Sequence, residues 1–220
     1  MPEGKLIIGN RRYSSWSMRG WLPVRLASLD VEEIVIPLTG DGNTPAVKKA
    51  IPSGSVPYLE HRGAVVWETL AICEYCAEFS SALWPADRAA RAHARAIASE
   101  MHAGYGQLRS AMPMSLMRTV PGKGRTQGAL ADIARIDALW RETRARFGAG
   151  GPYLFGAAFS NADAMFAPVV ARFLTYQPDL SPEAQAYCKS VRAHPLVSEW
   201  YAAAAKEPKE WEVARYESGL

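Results

Sequence analysis

At 220 residues, with 49% hydrophobic and 21% charged side chains, the chain has the composition of an ordinary soluble protein, long enough for one large domain or two small ones sharing an interface. Its 25 basic and 22 acidic residues leave a net charge of +3, too even a balance for a nucleic-acid-binding surface. No run approaches the roughly 18 apolar residues of a membrane span. The start Met1-Pro2-Glu3-Gly4-Lys5 lacks the charged region and apolar core of a leader, and three cysteines fit a reducing compartment, so the expected location is the cytoplasm.

In chain order, Lys5 to Asn10 reads as a strand and Trp16 to Leu29 as a helix, with Pro23 inside it predicting a kink. Ser14 and Ser15 then fall at the helix N-terminus, where unpaired N–H groups and the positive end of the macrodipole favour an anion. Either serine could cap the helix or serve a ligand. Glu32 to Leu38 is a second strand, and Gly40 to Ser55 is a Gly/Pro/Asn/Ser-rich connection holding at most a brief helix at Ala46 to Ala50. Pro57 to His61 and Ala64 to Trp67 pair as a hairpin across Arg62-Gly63, and Glu68 to Phe79 follows as a helix. The order β-α-β, connection, β-β-α predicts an α/β first domain over residues 1–80 with a mixed four-stranded sheet.

After Ser80 strand-forming runs disappear. Ser80 to Ala86 reads as a connector, and an all-helical second domain is expected over residues 87–220. The predicted helices run from about Asp87 to Met117, Gln127 to Phe147, Ser160 to Thr175, Pro182 to Arg192 and Pro195 to Lys206. Ser160-Asn161-Ala162-Asp163 has the spacing of a capping box, which gives Asp163 a folding role.

Cys73-Glu74-Tyr75-Cys76 spells C-x-x-C, but both cysteines fall inside a helix rather than at its N-terminus, so neither redox nor metal chemistry is expected of them. The histidines lack ligand spacing and no metal is expected. G-x-S-x-G, P-loop and G-x-G-x-x-G motifs are absent. What remains is a set of polar groups at three junctions: Ser14-Ser15 at the first helix, Ser53 to Tyr58 entering a strand through Val56-Pro57, and Glu68-Thr69 where the last strand meets a helix. All three can face one cleft.

Ser14-Ser15-Trp16-Ser17-Met18-Arg19 resembles the S-S-C-x-x-R signature of zeta-class cytosolic glutathione transferases. Ile51 to Pro57 resembles that superfamily's N-P-x-G-K-V-P, Glu68 to Ile72 its E-S-x-A-I, and Ser160 to Asp163 its S-x-A-D helix start. The resemblance covers nearly the whole chain and implies a thioredoxin-like first domain, a helical second domain that walls the electrophile site, glutathione as co-substrate and a homodimer. It implies that Pro57 is cis, that the Val56 backbone pairs with the cysteinyl backbone of glutathione, and that Glu68 and Thr69 hold its γ-glutamyl end. Ser14 or Ser15 would donate to the sulfur, and the resemblance points to Ser14. A thiol near pKa 8.5 must fall by about 2 units, or about 2.7 kcal/mol, to ionise at neutral pH. A charged hydrogen bond worth roughly 1.5–3 kcal/mol, with a helix terminus worth 0.3–1, is enough.

Trp16 stands where the zeta signature has cysteine, and Ser55 where many relatives have a lysine near the glycine carboxylate of glutathione, a charge that Lys48 or Lys49 would supply instead. General glutathione transfer to a small hydrophobic electrophile, in detoxification, is therefore the expected function. The alternatives are an isomerase of the maleylacetoacetate type and a binding module without turnover.

Overall fold

In the computed structural model, which describes residues 1–217, β1 (Gly4–Gly9) lies inside a sheet covered on both faces. Its alternation shows this: Leu6 and Ile8 join the main core, while Ile7 joins a smaller one with Val47, Ile51 and Tyr58 on the opposite face. Helix α1 (Ser15–Leu26) crosses over to β2 (Glu32–Ile36), which runs parallel to β1, and α2 (Pro45–Ala50) covers the small core. A cis Val56-Pro57 bond leads into β3 (Tyr58–His61), antiparallel to β1, and Arg62 and Gly63, both at positive φ, turn the chain into β4 (Ala64–Trp67). The order β2-β1-β3-β4 is the mixed four-stranded sheet expected, followed by α3 (Thr69–Phe79). Pro23 does not end α1, which continues to Leu26.

The remainder is helical: α4 (Arg88–Ala103), α5 (Gly106–Ala111), α6 (Gln127–Phe147), α7 (Asn161–Tyr176), α8 (Pro182–Ala193), α9 (Pro195–Ala205) and a short α10 (Ala214–Glu217), with 3-10 turns at Ser81–Leu83 and Lys209–Trp211. The second half was expected to reach Leu220, and residues 218–220 lie outside the described residues. Helix α7 is the spine of the molecule. All its residues but Leu174 are buried, and it packs on both α1 and α4. Arg19 of α1 donates from Nε to the Met165 carbonyl (2.7 Å), and the Asn161 amide donates to the Cys73 carbonyl (2.9 Å), tying the two halves together.

One expectation changes and one is enlarged. The single helix predicted from Asp87 to Met117 is broken at Gly104-Tyr105, where Tyr105 turns left-handed (φ 57°) and its hydroxyl donates to Glu100 (2.5 Å). Burial of the Tyr105 ring offsets a backbone cost that helical propensity alone would have avoided. Asp163 is the capping acid expected, in a capping box with Ser160, and it does more: fully buried, it accepts from the Ser160 N–H (2.9 Å), the Ser160 hydroxyl (2.9 Å), the Leu154 N–H (3.1 Å) and the Tyr187 hydroxyl (3.0 Å).

Cys73 and Cys76 lie on α3 and are fully buried. Burial pushes the Cys76 thiol up to about 12 and the Cys73 thiol well above its ordinary value, so neither forms a thiolate at neutral pH. Among the described residues no group of three or more His, Cys, Asp or Glu is placed to hold a metal ion, and no helix is long and apolar enough to cross a membrane.

Candidate active site

Glycine at position 20 lets the sheet and α1 meet closely enough to form the site. A Cβ there would come within 2.5 Å of the Pro57 ring, so only glycine permits α1 to lie against the cis-proline. The N-terminus of α1, the Val56-Pro57 step and the start of α3 thereby converge. The main cleft, about 340 Å³, is lined by Ser14, Ser15, Trp16, Ser55 and Val56 from the first half and by Arg109 and Arg172 from the second. A small recess beside it is lined by Trp16, Ser55, Val56, Pro57, Glu68 and Thr69, and Trp16, Ser55 and Val56 border both.

The two serines have different partners. Ser14 caps α1: its oxygen accepts from the Ser17 N–H (3.3 Å), and its hydroxyl donates to Ser17 Oγ (2.7 Å), which also accepts from the Gly9 N–H (2.8 Å). Ser15 instead accepts from Arg172 Nη2 (3.3 Å), and its own proton has no partner among the described residues. A hydroxyl beside a guanidinium at a helix N-terminus can donate to an anion with little reorganisation.

Glu68, immediately before α3, has φ 67° and ψ 130°, a region an L-residue occupies at a cost on the order of 1–3 kcal/mol. The strain aims its carboxylate, which is 60% exposed, over the recess beside the buried Thr69. Lys48 and Lys49 are exposed on α2 and line neither cavity; the Lys48 stem passes beside Gly54.

Several lining residues escaped the sequence reading. Arg172 stands alone as a charge in the apolar run of α7, which is the one mark it leaves in the sequence. It is buried, and it donates to the carbonyls of Met112 (2.8 Å) and Pro168 (3.0 Å) as well as to Ser15. Burial, and next the charge of Arg109, pulls its pKa down to about 10, so it stays protonated at neutral pH. The Arg109 and Arg19 guanidiniums lie 5.2 and 4.8 Å from the Trp16 ring centre. None of these three arginines has a carboxylate within 4 Å among the described residues. Tyr216 of α10 also lines the cleft, and its hydroxyl donates to the Gly40 carbonyl (3.2 Å). Tyr13 donates to Glu217 (2.5 Å); burial and that carboxylate raise its pKa, so its phenol is committed and neutral.

A thioredoxin-like domain whose first-helix N-terminus opens on a cleft walled by an all-helical domain belongs to the class of two-domain thiol-handling folds. Residues 13–78 match the model of the glutathione S-transferase N-terminal domain, and residues 88–203 match that of the C-terminal domain. The chain belongs to the glutathione S-transferase family.

The chain is 29% identical over 188 residues to maleylacetoacetate isomerase of Rattus norvegicus, covering 83% of this chain and 84% of that protein. Among solved structures it is similar to maleylacetoacetate isomerase from Anaeromyxobacter dehalogenans 2CP-1 with bound GSH, at TM-score 0.65 and 25% identity, covering 95% of this chain and 99% of that one. A glutathione transferase homolog from Burkholderia gl BGR1 with bound glutathione shares the fold at TM-score 0.70 and 20% identity, with coverage of 94% and 100%.

Proposed function

We propose that this glutathione transferase binds glutathione along the Val56-Pro57 step, with its γ-glutamyl end in the recess at Glu68 and Thr69 and its sulfur at Ser15. The single observation that carries this is the unpartnered Ser15 hydroxyl proton at the α1 N-terminus, beside the Arg172 charge. The Ser15 O–H donates to the thiolate, Arg172 lowers the cost of placing negative charge there, and Ser14 holds the helix start. The sequence resemblance favoured Ser14 for the sulfur contact; the partners of the two hydroxyls favour Ser15 and leave Ser14 the cap. The thiolate then attacks an electrophilic carbon, forming a C–S bond.

Electrophile chemistry follows from the far wall. Arg109 and Arg172 face the cleft without an acid to neutralise them, and an anionic substrate would complete them. This favours an electrophile carrying a carboxylate over a neutral aromatic one, and it keeps the maleylacetoacetate type of isomerisation as the second reading, supported by the relatives so named. In that reaction the thiolate adds to a conjugated double bond, the bond rotates, and the thiolate leaves. Substituting methionine for Arg109 should lower kcat/KM about 10- to 100-fold with carboxylated electrophiles, in the range of a charge-assisted hydrogen bond, and less than about threefold with a neutral one. Equal losses with both substrates, or no preference of the wild type for the acid, would sink the anionic reading.

A cytoplasmic role in detoxification fits three free buried thiols and a thiol co-substrate. We place a homodimer contact on β4 and α3. Val65 and Trp67 are each 49% exposed on β4, and a groove between α3 and α4 is lined by Leu70 and Trp84 together with Glu74 and Arg95. Light scattering at micromolar concentration should report twice the chain mass, and Trp67→Glu should halve it. A wild-type monomer removes the dimer.

A further inference from the structure

The two polar residues at the α3 end of the recess, Glu68 and Thr69, are met from behind by one further polar side chain, and it comes from the other half of the molecule. Helix α4 ends at Ala103, and His102 in its last turn points back at the start of α3. Its Nδ1 lies 3.2 Å from Thr69 Oγ1 and its Nε2 lies 3.4 Å from Glu68 Oε2. Each ring nitrogen thus faces one of the two polar residues at this end of the recess, and the ring packs edge-on against Trp16 with centroids 5.2 Å apart.

The chemistry of the pair orients all three groups. A carboxylate only accepts, so an imidazole nitrogen that bonds Glu68 must be the one that carries the proton; in that tautomer Nδ1 holds the lone pair and accepts the Thr69 hydroxyl. Glu68 has no other side-chain partner among the described residues, and neither does the Thr69 hydroxyl. With its backbone strained and its side chain mostly exposed, Glu68 would otherwise sample several rotamers, each away from where a ligand amino group must meet it.

We propose that His102 is a positioning residue for the γ-glutamyl end of glutathione, supplied by the helical domain to hold Glu68 and Thr69 in their binding geometry. The γ-glutamyl site is therefore built across the domain interface, and a displacement of α4 changes glutathione affinity without touching the sulfur. This assignment rests on the glutathione reading above.

Two substitutions and two thiols test it. H102L keeps apolar bulk against Trp16 and removes both nitrogens; H102Q keeps an amide that reaches Glu68. With glutathione, H102L should raise KM about tenfold, the scale of a lost hydrogen bond to a charged group, with kcat at saturation within about twofold, while H102Q stays within about threefold of wild type. With cysteinylglycine, which lacks the γ-glutamyl group, wild type and H102L should have the same KM. If H102L raises KM equally for both thiols, His102 acts only by packing on Trp16, and the proposal is overturned. An H102L variant that keeps the full wild-type preference for glutathione also overturns it. A wild-type protein indifferent to the γ-glutamyl group overturns the glutathione reading itself, and this assignment with it.

Discussion

Replacing Asp163 with alanine should destabilise the protein by about 3–5 kcal/mol, well beyond the roughly 0.5–2 kcal/mol of a lost helix cap. The difference comes from what the carboxylate holds. Its two oxygens serve the Ser160 and Leu154 N–H groups and the Ser160 and Tyr187 hydroxyls, so alanine strands several buried donors at once rather than one at a helix end. Each stranded donor costs about 1–3 kcal/mol, and no water reaches a fully buried site to replace the acid. For a chain of this length the melting temperature should fall by roughly 6–20 °C. Thermal and urea unfolding followed by tryptophan fluorescence would measure it, since Trp140 meets Tyr187 edge-on with ring centroids 4.7 Å apart and so lies beside the hub. A loss under 1 kcal/mol would return Asp163 to the status of an ordinary cap. Glutathione binding by the folded fraction should be unchanged, because the hub touches neither cavity.

Ser15→Ala should raise the pKa of bound glutathione thiol by about one to two units, roughly 1.4–2.7 kcal/mol, because the variant removes the one uncommitted hydroxyl proton at the α1 N-terminus. With the folded enzyme at neutral pH, the thiolate fraction and the rate from bound substrate then drop about 10- to 100-fold and recover as pH rises past the new pKa. Ser14→Ala should mainly lose the cap, at about 0.5–2 kcal/mol of stability, since its oxygen and proton both serve Ser17. The ultraviolet band of enzyme-bound thiolate, titrated against pH in both variants, separates the roles. A shift in Ser14→Ala alone returns the sulfur contact to the residue favoured by resemblance. No shift in either, with glutathione still bound, removes the hydroxyl mechanism and leaves a binding module.

Much of the fold was legible because the determinants are local. The short apolar run of β1, the β-branched run of β2 and the Arg62-Gly63 turn predicted the strands within one or two residues, and the C-x-x-C pair lies inside a helix, as its place in the pattern indicated. The break at Tyr105 was not legible, since the residues from Asp87 onward read as helix until the burial of the Tyr105 ring is known.

By itself, then, the sequence determined the two-part architecture, the four-stranded sheet and the three polar junctions at Ser14-Ser15, Val56-Pro57 and Glu68-Thr69, because periodicity, capping chemistry and turn residues act over a few neighbouring positions. Only the tertiary structure decided which serine keeps a free proton, that Arg109 and Arg172 face the cleft without acids, and that His102 reaches Glu68 and Thr69 from the helical half. Those properties depend on pairs such as Ser15 with Arg172 or Thr69 with His102, far apart in the chain and joined only when α1, α4 and α7 pack. No local pattern encodes such a distance.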